Sequence, residues 1–111
     1  MVGKIYLAKI YFTDLSQYKI RPVLIIREIG DDCICLQLTS QYKEHRIKLS
    51  NDDLIDGVLK KNSLIVVPKN FTLNKQILDK YIAQISDQKL MDIFDMFCKE
   101  IGCNSISKDM K

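Results

Sequence analysis

The chain is expected to fold as a mainly β domain, a small curled barrel of about six short strands finished by one C-terminal amphipathic helix. Three observations carry that expectation. Short runs rich in Ile, Val, Leu and Tyr follow one another closely, each bounded by turn residues. The second run, "VLII" (23–26), is apolar at every position and reads as a buried strand. Only the segment after residue 86 spaces its apolar residues at the helical period.

Taken in order, "KIYLAKIYF" (4–12) lacks helical spacing, carries apolar groups at both parities and reads as a strand. "TDLSQYK" is a connection in which Asp14 and Ser16 can bond their own backbone. "PVLIIREI" (22–29) is expected to be the next strand, with Pro22 at its first position, where a missing N–H is tolerated. Proline also drives the preceding Arg21 towards an extended conformation, so its guanidinium should be held at a sheet edge. "GDD" then turns the chain back into "CICLQLTS" (33–40), a hairpin.

In that hairpin Ile34, Leu36 and Leu38 face the core, and Gln37 and Thr39 the opposite side. "HRIKLS" (45–50) alternates again. "NDDLIDGVLKKN" is expected as a polar connection, and "SLIVVPK" (63–69) as an interior strand that Pro68 ends. "KYIAQI" (80–85) is the last strand. In the final helix Leu90, Ile93, Phe94, Phe97 and Ile101 form one stripe, from which Met96 departs. Ser86 is its cap, Asp87 suits its first turn and Gly102 its stop. Residues 1–102 are thus one domain, and 103–111 a polar tail expected to fray. Curled sheets of this size close as barrels of the SH3 or OB kind.

At 111 residues the chain can bury a modest core unaided. No apolar run is long enough to span a bilayer and the N-terminus does not read as a signal peptide, which makes the cytoplasm the expected location. Reduced thiols follow for Cys33, Cys35, Cys98 and Cys103, since C-x-C lacks the second pair that structural zinc wants. The net charge of +3 permits a nucleic-acid partner without demanding one.

Polar chemistry gathers at two strand ends. If the strands pair through "GDD", Arg21 and the Thr39–Gln41 stretch meet at the end away from the turn. A guanidinium offers a planar fork of donors matching phosphate oxygens. Thr39 and Ser40 add hydroxyls, Gln41 an amide able to read a base edge, and Lys19 and Lys43 charge along a strand's path. Tyr18 and Tyr42 can stack bases. The plain alternative is a solvated arginine beside an ordinary loop. His45, the only histidine, is a possible general acid or base, but it shares parity with Ile47 and Leu49, which points to packing. Phosphate loops, nucleophile elbows and HExxH are missing from the sequence, so neither a cofactor nor a metal is expected.

On "GKIYLAKIYFTDL", "KIRPVLII", "LQLTSQ" and "KKNSLIVVPKNFTLNKQILDKYIAQISDQKLMDIF", covering most of residues 3 to 101, the sequence resembles the MazF/PemK/Kid toxins of bacterial toxin–antitoxin pairs. The resemblance implies an SH3-like barrel with a C-terminal helix, acting as a homodimer. It implies a metal-independent endoribonuclease that cuts single-stranded mRNA through attack of the 2′-OH on the phosphate. It also implies an antitoxin whose flexible acidic segment blocks the cleft, the complex of the two binding operator DNA. The family's catalytic arginine falls on Arg21 and its threonine on Thr39. Some relatives carry an arginine and an aspartate in the segment matching 69–75, where this chain has Phe71 and Asn74. Two other readings remain open: a gyrase-poisoning toxin of the same fold acting through its last helix, and a non-catalytic nucleic-acid-binding module.

Overall fold

A computed structural model describes residues 1–11, 17–41 and 46–103, the side chain of Pro68 excepted. Seven strands make one antiparallel sheet: β1 (Lys4–Tyr11), β2 (Tyr18–Ile29), β3 (Asp32–Thr39), β4 (Arg46–Leu49), β5 (Leu54–Gly57), β6 (Ser63–Asn74) and β7 (Leu78–Ile85). Their spatial order is β4-β6-β3-β2-β1-β7-β5, with α1 (Asp87–Ile101) following the last strand. The sheet curls into a half-barrel, and among the described residues its edge strands β4 and β5 do not pair with each other.

Both faces of the central strands are covered, which accounts for the unbroken apolar run in β2. Leu24 and Ile26 join Ile5, Leu36, Leu38, Ile65, Val67 and Ile85 on the side that α1 seals with Ile93. Val23 and Ile25 turn the other way, onto Ala8, Cys33 and Cys35, against which Tyr6, Phe71 and Leu73 pack. Each fully buried leucine or isoleucine contributes about 1.5–3 kcal/mol. Strand alternation read from the sequence therefore holds for β3, except that its second face is also partly interior.

Several boundaries differ from expectation. β2 starts at Tyr18, because β1 offers partners as far as Tyr11↔Tyr18, so Lys19 and Arg21 lie within the strand and Pro22 is not its first residue. Pro68 does not end β6. Between Leu36↔Asn70 and Leu38↔Ile65 that strand shifts register on β3, and the proline sits in the shifted segment, where a missing donor costs little. The connection after residue 50 contains a seventh strand, β5, paired with β7 from Leu54↔Ile85 to Gly57↔Ala83. Its few apolar residues fall at an edge, too exposed to leave a clear pattern.

The helix begins and ends as expected. Ser86 accepts from the Lys89 N–H at 3.1 Å, and Gly102 takes a left-handed φ of 68°. Only part of the stripe is interior, however: Ile93 is buried and Leu90 and Phe97 pack on the core, whereas Phe94 and Ile101 are 41% and 48% exposed. Met96 is exposed off the stripe. Cys98 and Cys103 are joined as a disulfide across the last turn, Cα atoms 5.2 Å apart, where free thiols were expected. Four residues, the end of the helix and its Gly102 stop, lie between them. Cys33 and Cys35 are buried free thiols, their sulfurs 3.6 Å apart, and burial pushes the Cys35 thiol far above its usual range. No helix among the described residues is long and apolar enough to cross a membrane. The tail from residue 104 lies outside the described residues.

Candidate nucleic-acid cleft

The cleft exists because two strand pairs part company. β2 and β3 are paired from Ile29↔Asp32 to Val23↔Gln37 and no further. Beyond that point β2 stays with β1, through Arg21↔Ala8 and Lys19↔Ile10. β3 stays with β6, through Leu38↔Ile65 and Thr39↔Leu64. Pro22, which has no N–H to donate, stands where the β2–β3 ladder stops. The gap is a cavity of about 440 Å³, with Arg21 and Pro22 on one wall and Gln37 to Gln41 on the other.

The structure thus brings four of the six expected site residues together: Arg21, Thr39, Ser40 and Gln41 all line the cavity. Continuing the Val23↔Gln37 register by two residues sets Arg21 opposite Thr39 across the gap, on the face of Val23 and Cys35. Lys19 lies two residues further along β2, outside the lining. Lys43, Tyr42 and His45, like Asp14 and Ser16, lie outside the described residues. Tyr18 is exposed beside Tyr11, ring centroids 5.5 Å apart, with the Lys9 ammonium 5.3 Å from its ring, and it does not line the cavity.

Local bonds fix the far wall. The Gln41 N–H donates to Thr39 Oγ1 at 3.2 Å, a turn closed by a side chain. Thr39 Oγ1 is thus an acceptor within its own loop, while a rotatable hydroxyl keeps one donor and a second lone pair. The Arg46 guanidinium donates to the Gln41 carbonyl, tying the first residue of β4 to the end of the same loop.

Arg46, Lys61, Ser63 and Lys69 also line the cavity and were not singled out from the sequence. Lys61 belongs to the "KKN" pair and Lys69 follows Pro68, ordinary surface patterns whose convergence depends on the bend of β6. Four cations and several hydroxyl or amide groups therefore meet, with no carboxylate on the described lining. Such a field attracts a polyanion and is not neutralised from within.

Phe71 and Asn74 take no part. Phe71 pairs with Cys35 and packs under the sheet. Asn74, at the hairpin end opposite Asp32, accepts from the Gln76 N–H at 2.9 Å. Within 69–75, the cation reaching the cavity is Lys69.

Fold and cleft together define a small curled-sheet protein with a cationic cavity at the open end of a hairpin. The sequence profile of the PemK-like, MazF-like toxins of type II toxin–antitoxin systems matches residues 2–100, and the chain belongs to that family. Its fold is similar to that of an endoribonuclease solved in complex with its cognate antitoxin from Mycobacterial species, at TM-score 0.70 and 16% identity over 92% of each chain. It is similar also to Mycobacterium tuberculosis toxin MazF-mt6, at TM-score 0.69 and 16% identity over 89% of this chain and 96% of that one. The MazE–MazF structure (Form-II) from Deinococcus radiodurans aligns at TM-score 0.72 and 12% identity over 91% and 94%. Comparison with curated protein sequences finds no match.

Proposed function

We propose that this chain is the toxin of a type II pair and cleaves single-stranded RNA without a metal, its cleft holding the scissile phosphate between Arg21 and Thr39. The observation that carries this reading is the cavity itself, where a guanidinium, the Thr39 hydroxyl and three further cations meet with no carboxylate on the described lining. Membership of the toxin family supports it.

In the proposed reaction the ribose 2′-OH attacks the adjacent phosphorus and the 5′ oxygen leaves. The products are a 2′,3′-cyclic phosphate and a 5′-hydroxyl end, and the proton lost by the nucleophile is matched by the one the leaving oxygen gains. The substrate supplies its own nucleophile, so the protein has to orient the linkage and stabilise charge on the phosphorane. Arg21 lies against its equatorial oxygens in a bidentate way, and Thr39 donates to one of them. Arg46, Lys61 and Lys69 take the neutralising part that a metal ion plays in other nucleases. Ser40 and Gln41 contact the flanking nucleotides, with Lys19 and Lys43 further along the strand. DNA binds the same cleft without being cut, for want of the 2′-OH. A homodimer, and an antitoxin inserting an acidic segment among these cations, complete the proposal.

Induced expression in bacteria, with growth and bulk mRNA followed together, tests it. Arrest with loss of mRNA, relieved by Arg21→Ala, is the expected result. Arrest that survives Arg21→Ala, with DNA damage and relief by changes on α1, contradicts it and points to a gyrase poison instead.

A further inference from the structure

The turn that carries Thr39 into the cleft has little burial to hold it. β3 makes its last pair at Thr39↔Leu64, so Ser40 and Gln41 lie beyond the ladder, and both are exposed. Two described bonds fix their course. The Gln41 N–H donates to Thr39 Oγ1 at 3.2 Å, and the Arg46 guanidinium donates from Nη1 to the Gln41 carbonyl. The first bond is internal to the turn and can move with it. The second reaches outside, to a residue rooted in the sheet. Arg46 opens β4 and pairs with Val66, two residues along β6 from Leu64, the partner of Thr39. Threonine and arginine are thereby referred to the same strand, one from each side of it.

Resting on the nuclease reading above, we propose that Arg46 is a positioning residue, which holds the Thr39 hydroxyl opposite Arg21 by way of Gln41. Thr39 is β-branched, and the χ1 well it occupies decides where Oγ1 and the methyl group stand. Accepting from the Gln41 N–H selects one well only while Gln41 itself stays in place. A guanidinium suits the task of keeping it there. Bonds from a charged donor are stronger than neutral ones, and the planar fork keeps further donors for the cavity that Arg46 lines. This contribution is separable from the positive charge that Arg46 brings to the cleft. Charge attracts RNA wherever the turn lies, whereas reaction at phosphorus needs its donor placed to within a fraction of an ångström.

The test has a spectroscopic arm and a kinetic arm, both on the full chain. Three-bond NMR couplings to the Thr39 methyl carbon report its χ1. One well in the wild type, and averaging over wells in Arg46→Met with the rest of the spectrum retained, are the expected result. In single-turnover cleavage at saturating RNA, Arg46→Met is expected to lose roughly ten- to a hundredfold. Arg46→Lys, which keeps the charge and a donor, should recover part of it. In a Thr39→Val background Arg46→Met should cost less than about threefold, because the group it positions is already gone. Lys69→Met, which removes a lining charge from β6, should by contrast multiply with Thr39→Val. A Thr39 rotamer unmoved in the folded Arg46→Met protein, or losses at 46 and 39 that multiply in full, overturn the positioning role and leave the nuclease reading standing. Averaging of Thr39 in Arg46→Met, in a protein whose wild type cuts no RNA, upholds the tie and refutes the nuclease.

Discussion

Val23 and Gln37 are the last residues that β2 and β3 pair across their hairpin, and the cleft opens at the next step. The strands diverge there because each keeps its other neighbour, β1 for Arg21 and β6 for Thr39. A side chain at position 21 is thereby fixed by a paired strand on one side and faces open space on the other.

Thr39 accepts from the Gln41 N–H through Oγ1 and lines the cleft. Thr39→Val is expected to lower cleavage about a hundredfold, the scale for loss of one transition-state donor. Thr39→Ser should recover much of it. Stability should move by no more than about 1 kcal/mol, since the Gln41 N–H is exposed and can turn to water. Single-turnover cleavage and urea unfolding of the three proteins check both statements.

Asn51 makes two bonds to the main chain of buried Leu59. Asn51→Ala leaves a donor and an acceptor unsatisfied and should cost about 1–3 kcal/mol. It also releases the loop that brings Lys61 to the cleft, so nucleic-acid affinity should fall with stability. An unchanged urea midpoint would rule this role out.

Of the apolar residues on α1, Ile93 is buried and Phe94 is not. Ile93→Ala should therefore destabilise by about 2–5 kcal/mol. Phe94→Ala should stay within about 0.5 kcal/mol in the isolated chain. Thermal unfolding of both decides it, and equal losses would mean that Phe94 is covered in solution.

The bond to Asp56, with some desolvation, raises the Tyr81 phenol to about 12 from an ordinary 10.0. Its protonated form is favoured by folding, so its contribution is whole below pH 10.0 and is lost as pH rises towards about 12. Ultraviolet titration should show Tyr81 ionising late, and Asp56→Asn should bring it back towards the ordinary range. A late tyrosine that persists in Asp56→Asn would assign the shift to another cause.

Sequence periodicity carried much of the fold. Alternation in "CICLQLT" placed Leu36 and Leu38 inside, and an unbroken apolar run marked β2 as a buried strand. β5 was missed because an edge strand such as "LIDG" is half exposed and has no period to show. The stripe on α1 was read too wide, since spacing gives a face and not how far the sheet reaches across it. Proline was read too strongly: it removes one donor, and at Pro22 and Pro68 the ladder is already broken or shifted. For the cleft, antiparallel geometry alone brought Arg21 and Thr39 to one end of a hairpin. Arg46, Lys61 and Lys69 come from three separate segments, and only the curl and bend of β6 converge them. Local patterns cannot carry that information.

The most direct test of the proposed chemistry is cleavage of a long single-stranded RNA by purified protein in excess EDTA, wild type beside Arg21→Ala, with end-group analysis of the fragments. Fragments bearing 2′,3′-cyclic phosphates from the wild type, reduced about a hundredfold or more in the folded variant, are the expected result. Cleavage that disappears with EDTA, or continues undiminished in Arg21→Ala, contradicts it.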